Sequence, residues 1–179
     1  MTIYTDGAYS PSRDQGGWAF FVEEEQLPVT GGAKKTTNNR MELWGVLAAL
    51  KYFKNPTKMT IYSDSAYVVN SIVQGHAKKW FEQQDFSKKN LDLWHDILDL
   101  LEVHDVTFQW VKGHSNNEYN ELCDKLAVHA AQCLNLPKDN GYKKINIFLL
   151  FFMFFSIFFS KFFIFFKLRL YSSTFFWIF

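Results

Sequence analysis

The 179-residue sequence is sparing with cysteine, proline and glycine, at two, four and nine residues respectively. Two cysteines cannot staple a chain of this length, which excludes a disulfide framework and points to a reducing compartment, the cytoplasm. Cys123 and Cys133 fall within one expected helix, about 15 Å apart at the helical rise, too far to bridge each other. Neither CxxC nor a Cys/His spacing for zinc occurs. The chain opens on the strand-like Met1-Thr2-Ile3-Tyr4-Thr5, with no basic region followed by an apolar stretch, so no secretory leader is expected. Gly16-Gly17 makes no phosphate-cradling loop, and neither Ser63 nor Ser65 has a base arranged beside it for nucleophilic catalysis. There is no internal repeat.

Acids are absent from one region altogether. Residues 145–179 contain none, and they hold 14 of the 20 phenylalanines. Setting aside the tail's Lys161, Lys167 and Arg169 leaves 16 bases against 18 acids in the front part, net −2, where the whole chain is +1. That front part has the make-up of an ordinary globular domain. Its charge balance excludes a disordered chain, a polytopic membrane protein and a globally basic nucleic-acid coat. Any contact with nucleic acid must therefore be local. A domain over residues 1–136, a linker over 137–144 and a hydrophobic tail over 145–179 are expected.

Periodicity supplies the element order. Residues 1–9 read as a strand ending at Asp6-Gly7, Trp18 to Val22 as a second, and Gln26 to Thr30 with Gly31-Gly32 as a hairpin-connected edge strand carrying Pro28. Thr36-Thr37-Asn38-Asn39 then offers N-caps to a helix marked by Met41, Trp44, Leu47, Ala48 and Leu50 and stopped at Asn55-Pro56. Lys58 to Ser63 is a fourth strand and Ala66 to Val73 a short helix closed by Gly75. After a basic, aromatic insertion, Leu91, Trp94, Ile97, Leu98 and Leu101 mark another helix, and Val106 to Val111 a fifth strand. A last helix, capped by Asn116 or Asn117, carries Tyr119, Leu122, Cys123, Leu126, Ala127 and Ala130 as its apolar stripe. Three hairpin strands followed by helix-linked strands predict an α/β fold with one mixed sheet covered by helices on both faces.

Four acids stand out against this frame. Asp6 and Asp64 end expected strands in the similar contexts Tyr4-Thr5-Asp6-Gly7 and Tyr62-Ser63-Asp64-Ser65. If those strands pair in parallel, both acids reach the sheet edge where α/β proteins bind ligands. Singly, each reads as a turn or N-cap residue. Glu42, between Met41 and Leu43, and Asp124, between Cys123 and Lys125, lie in the first turns of otherwise apolar helices. Four converging carboxylates repel one another unless they share protons or bind cations. Oxygen-only donors select a hard divalent ion such as Mg²⁺ or Mn²⁺.

Six blocks in order make the sequence recognisable: Tyr4-Thr5-Asp6-Gly7-Ala8, Thr36-Thr37-Asn38-Asn39-Arg40-Met41-Glu42-Leu43, Tyr62-Ser63-Asp64-Ser65, Asn90-Leu91-Asp92-Leu93-Trp94, Trp110-Val111-Lys112-Gly113-His114-Ser115 and Asn120-Glu121-Leu122-Cys123-Asp124-Lys125-Leu126-Ala127. Over residues 1–136 the chain resembles type 1 ribonuclease H. The resemblance implies the ribonuclease H-like three-layer fold, a five-stranded mixed sheet flanked by helices. It implies endonucleolytic hydrolysis of the RNA strand of RNA·DNA hybrids, with two Mg²⁺ ions per site and Mn²⁺ able to substitute, leaving 5′-phosphate and 3′-hydroxyl ends. Asp6 would bridge both ions, Asp64 would help hold the one that activates water, and Glu42 and Asp124 the one facing the leaving oxygen. His114, behind Gly113, would assist proton transfer or product release.

The resemblance also implies substrate contacts. Lys35, Thr37 and Asn90 match positions that grip a phosphate of the DNA strand, with Lys where Arg is common, so the guanidinium fork is missing. Asn38 would approach the minor groove, where a 2′-hydroxyl marks RNA; Asn39 and Arg40 otherwise read as a capped helix start with an exposed base. Gly75-His76-Ala77-Lys78-Lys79-Trp80-Phe81, with Lys88-Lys89, resembles a shortened basic handle, in which Lys78, Lys79 and Trp80 would meet the DNA backbone. The loop after Asp6 lacks the family's Asn-Pro-Gly element, and Ala66 replaces a groove-reading Gln. The expected partner is the hybrid duplex alone, bound by a monomer.

The tail has no counterpart in that family. Residues 145–166, about 33 Å as a helix and interrupted only by Lys161, are long enough for a membrane anchor. Its residue types equally suit translation of A/T-rich DNA past a lost stop, and an unselected extension is the preferred reading. A non-catalytic hybrid-binding module and a membrane-attached interaction protein are the alternatives to the enzyme.

Overall fold

Alternation of side chains between two apolar environments builds the sheet. In the first two strands Ile3, Phe20 and Val22 enter one core, whereas Tyr4, Ala19 and Phe21 enter the other, as a two-residue period requires. The computed structural model describes residues 1–83 and 89–142, and the chain divides into Met1–Tyr142 and Lys143–Phe179. The phenylalanine-rich tail and Lys88 lie outside the described residues.

Strands β1 (Thr2–Ser10), β2 (Gln15–Val22) and β3 (Leu27–Lys34) form an antiparallel meander. Strands β4 (Lys58–Ser63) and β5 (Asp105–Trp110) extend it in parallel, giving the order β3-β2-β1-β4-β5. Pro28, which has no N–H to give, sits on edge strand β3. Gly31 and Gly32 lie in β3 as expected, and a side chain at Gly31 would run into the Trp18 ring on β2.

Helices α1 (Asn38–Tyr52), α2 (Ala66–Val73), α3 (His76–Glu82) and α4 (Leu91–Leu101) share one core, and α5 (Glu118–Ala130) packs on β1, β2 and β3 over the other. Helix α1 is apolar almost all round because it is enclosed by β1, β2 and α4. Met41, Leu43, Val46, Leu47, Ala49 and Leu50 are fully buried there, each large apolar side chain contributing about 1.5–3 kcal/mol of burial. The threonine at 37 caps α1 through its hydroxyl, which accepts from the Arg40 N–H, and Asn117 caps α5 in the same way.

Four expectations are corrected. Asp6 does not end a strand: β1 continues to Ser10, held by β2 alone, because its parallel pairing with β4 stops at Tyr4↔Tyr62. The basic insertion contains a helix, α3, not foreseen as one. Cys133 lies beyond the end of α5, so it shares no helix with Cys123; both thiols are free, with Cys123 buried and Cys133 exposed. The stretch expected as a linker from residue 137 is built into the fold through residue 142. Lys138 bridges to Lys34 of β3, Asp139 is buried, and the Asp139 N–H donates to the Lys34 carbonyl at 2.9 Å.

Candidate active site

The site begins where β1 parts from β4. Beyond Tyr4 the strand has no ladder partner on the β4 side among the described residues, and Asp6 is buried at that parting with its carboxylate accepting from the Gly7 N–H at 2.6 Å. Gly7 then lets α1 approach. A Cβ there would collide with the backbone of Met41 and Glu42, so only glycine allows Glu42 to stand beside Asp6. Glu42 is buried one turn into α1, where Asn38 Nδ2 donates to its Oε1 at 3.2 Å.

Asp64 follows β4 directly and is fixed from three directions. Ser65 next to it caps α2, its main-chain oxygen accepts from Trp110 Nε1 at 3.0 Å, and its Oδ2 accepts from Asn120 Nδ2 at 3.3 Å. The loop after β5 passes close by, since a Cβ at Gly113 would lie 2.6 Å from Asp64 Oδ2.

Asp6, Glu42 and Asp64 each present an oxygen within 4.8 Å of the others. Two oxygens on opposite sides of Mg²⁺ stand about 4.2 Å apart, so the trio has the span of a cation's coordination shell. No Lys or Arg among the described residues pairs with them. Burial, then the charge of Asp64, pushes Asp6 up to about 8, against the lowering bond from Gly7; Asp124 adds a smaller upward push. Burial, followed by Asp6 and Asp64, lifts Glu42 well above the carboxylate range, with only Asn38 and Gly7 opposing. Glu42 Oε2 is buried and has no hydrogen-bond partner. A carboxylate oxygen left so is costly unless a cation completes it. The residues present therefore fit a divalent ion.

The remaining expected residues are distributed around this trio. Asp124 is half-buried on α5 and outside the trio, acting on Asp6 through its charge. His114 is exposed on the loop between β5 and α5, with a left-handed φ of 50°. Asn38 is exposed and already bonded to Glu42. Lys35, exposed at φ 56°, pairs with Asp14 at 2.8 Å. Thr37 caps α1, and Asn90, at φ 64°, donates to the Tyr67 hydroxyl at 3.2 Å. On α3, Lys78 and Lys79 are exposed, but Trp80 packs into the main core, stacked on His76 and edge-on to Trp94.

Two residues escaped the sequence reading. Asn120 has no role in the sequence reading beyond its place in a motif, yet it is buried, orients Asp64, and has an Oδ1 without a partner. Its spacing of four from Asp124 on one helix was the available signal. Arg40 was expected as an exposed base and is instead buried, bonded to Asp92 and Asp139.

Buried Asp6 on the central strand, buried Glu42 on the helix packed against it and half-buried Asp64 after β4, with no counter-charge among the described residues, define an α/β protein with a hard-cation centre. A family model for RNase H matches residues 1–132. Ribonuclease H of Trichodesmium erythraeum is 45% identical over 150 residues, covering 80% of this chain and 96% of that one. Ribonuclease HI of a Synechocystis strain is 43% identical over 154 residues, 80% and 95% of the two chains. The crystal structure of LC9-RNase H1, described as a type 1 RNase H with the type 2 active-site motif, superposes with a TM-score of 0.62 at 25% identity, over 73% of this chain and 71% of that one. The chain belongs to the ribonuclease H family, and is a hydrolase with the three-layer fold that its sequence resemblance implied.

Proposed function

We propose that the chain cleaves the RNA strand of RNA·DNA hybrids endonucleolytically by two-metal-ion catalysis with Mg²⁺, leaving 5′-phosphate and 3′-hydroxyl ends. The observation that carries this reading is the cluster of buried Asp6 and Glu42 with half-buried Asp64, in which Glu42 Oε2 has no partner. Paired divalent ions, when bound, make water nucleophilic at neutral pH and offset charge on the attacking and leaving oxygens.

The chain's own residues supply the frame for that chemistry. Asp6, within reach of both Glu42 and Asp64, would help hold both ions; Asp64 would help hold the one that activates water, and Glu42 with Asp124 the one that offsets charge on the leaving oxygen. Water adds to phosphorus as the bond to the 3′-oxygen breaks, and the proton lost by the water is balanced by the one the 3′-oxygen gains. His114, on an exposed loop that Gly113 brings close to Asp64, is suited to relay such a proton. Asn38 at the rim reads the 2′-hydroxyl, Lys35, Thr37 and Asn90 hold a phosphate of the DNA strand, and Lys78 and Lys79 meet its backbone beyond. Trp80, packed inward, shapes the α3 surface that carries those two lysines. In this reading the enzyme is a cytoplasmic monomer with the hybrid as its partner, the catalytic domain of residues 1–136 is completed by the segment that follows it to Tyr142, and the tail from 145 has no part in the chemistry. Among the described residues no helix is long and apolar enough to cross a membrane.

The test is Mg²⁺-dependent cleavage of a labelled RNA strand by the full chain, in an RNA·DNA duplex and in an RNA·RNA duplex, beside Asp6→Asn. Cleavage confined to the hybrid, lost in the variant, and yielding 3′ ends that a polymerase extends is expected. Intact RNA on a hybrid that the folded protein binds would replace the enzyme with a binding module.

A further inference from the structure

Arg40 has every guanidinium N–H committed. Nearly inaccessible to solvent, its guanidinium makes five hydrogen bonds: Nε to Asp139 Oδ2 at 2.6 Å, Nη2 to Asp139 Oδ1 at 2.8 Å, Nη1 and Nη2 to the Asp92 oxygens at 2.8 and 2.7 Å, and Nη1 to Asn90 Oδ1 at 3.5 Å. A guanidinium has five N–H donors, so none is left for a ligand. Burial works against its charge, yet the bonds to Asp92 and Asp139 hold its pKa above the ordinary arginine value.

The groups joined through Arg40 are far apart in sequence. Thr36, between Lys35 and Thr37, donates its hydroxyl to Asp139 Oδ2 at 2.8 Å. The same aspartate donates its N–H to Lys34, and Lys34 donates to the Pro137 carbonyl at 2.7 Å. Asn90 and Asp92 begin α4 on the other side. The segment 137–142 thus clamps the loop carrying Lys35 and Thr37 against the turn carrying Asn90. Lys35 and Asn90 both hold left-handed φ values, a conformation that costs a lysine most and persists only where surroundings impose it. Gly141 completes the fit, because a Cβ there would collide with Asp92 and Arg40.

We propose that Asp139 is a positioning residue for substrate: through Arg40 and Thr36 it fixes the spacing between the Lys35–Thr37 loop and Asn90, so the segment 137–142 pre-forms the grip on a DNA-strand phosphate. This rests on the hybrid-nuclease reading above. Charge alone makes the opposite forecast. The cluster of Arg40, Asp92 and Asp139 is net negative beside a site for an anion, so neutralising Asp139 would by electrostatics favour the phosphate. Weaker binding after that change is therefore specific to positioning.

The experiment uses the full chain as wild type, Asp139→Asn, Asn90→Ala and the double variant. Hybrid affinity is read in EDTA by anisotropy, and KM and kcat in Mg²⁺. Asp139→Asn is expected to weaken hybrid affinity and raise KM about 5–10-fold, the equivalent of one ordinary hydrogen bond. Turnover at saturation stays unchanged, and the slope of log affinity against log salt falls by about one phosphate contact. In the Asn90→Ala background the same substitution should cost less than about twofold, because coupled residues are non-additive. Unchanged or tighter binding, or an equal cost in both backgrounds, overturns the proposal. Should Asp139→Asn fail to fold, Asp92→Asn at the half-exposed end of the same clamp carries the same two forecasts. A wild type that binds the hybrid without cutting it refutes the nuclease reading while the affinity arms still judge the clamp; one that neither binds nor cuts overturns both.

Discussion

Replacing Asp6 by Asn should make the metal-free protein more stable, the reverse of what removing a buried hydrogen-bonded side chain usually does. Burial and the charge of Asp64 raise Asp6 from 3.8 to about 8, which at 1.36 kcal/mol per unit corresponds to a charging cost of about 6 kcal/mol. Asp64 and Glu42 share that repulsion and remain in the variant, so about 2–3 kcal/mol is expected back, or ~5–10 °C in Tm. The amide oxygen of Asn can still accept from Gly7, so little is lost. The sign follows from proton binding. Between about pH 4 and about pH 8 the folded protein holds a proton on Asp6 that the unfolded chain has released. The group's stabilising share is complete below that window and is lost as pH rises through it. Thermal unfolding in EDTA should therefore show near-equal Tm values at about pH 4 and an advantage for Asp6→Asn that grows to about pH 8 and then levels. Adding Mg²⁺ should raise the wild-type Tm and move the variant far less. An Asp6→Asn protein no more stable than wild type at about pH 9 in EDTA, or equally favoured at about pH 4, would refute the reasoning.

Other expectations follow from single contacts. Asn120→Ala strips Asp64 of its side-chain donor and should lower kcat about 10–100-fold while raising the Mg²⁺ concentration needed for half-maximal rate; an unchanged metal requirement would exclude an orienting role. Gly7→Ala places a Cβ against the α1 backbone and should cost about 3 kcal/mol or more in urea unfolding, with a loss under 1 kcal/mol counting against the close approach of β1 and α1. A thiol reagent should modify one cysteine per native chain, at Cys133, because Cys123 is buried with its Sγ against the Tyr4 carbonyl at 3.4 Å and its ionisation suppressed by burial. Labelling of both before unfolding would contradict that packing.

What could be read from the sequence was whatever depends on local pattern. The helix over 38–52, the strand at 58–63 and the helix at 91–101 came from apolar spacing and caps, each lying almost where expected. That Asp6, Glu42 and Asp64 meet was implied by the family resemblance; the pattern itself reached only as far as Asp6 and Asp64 sharing one sheet edge if their strands paired in parallel. Long-range features were not visible in that way. Asp139 looked like part of a linker because Pro137-Lys138-Asp139-Asn140-Gly141 has loop composition, and composition says nothing of a partner 99 residues away. Trp80 looked like a surface aromatic beside lysines, but its ring faces Trp94, an outcome set by the helix that the insertion forms.

Arg40 and Glu42 sit two positions apart on α1, and both are buried. At 100° per residue they point to different sides of the helix, and the fold treats them in opposite ways. Around Arg40 every donor is matched and two carboxylates answer one positive charge. Around Glu42 the neighbours are Asp6 and Asp64, which worsen its burial, and one oxygen has no partner at all. A buried charge retained only for stability would be matched, as Arg40 is, because an unmatched one costs several kcal/mol. The helix could have placed an apolar residue at 42 as it does at 41 and 43, so the unmet charge at 42 is the part of the helix that packing does not account for. A divalent cation does account for it, and Gly7, which opens the path between β1 and α1, has its place in the sequence for the same reason.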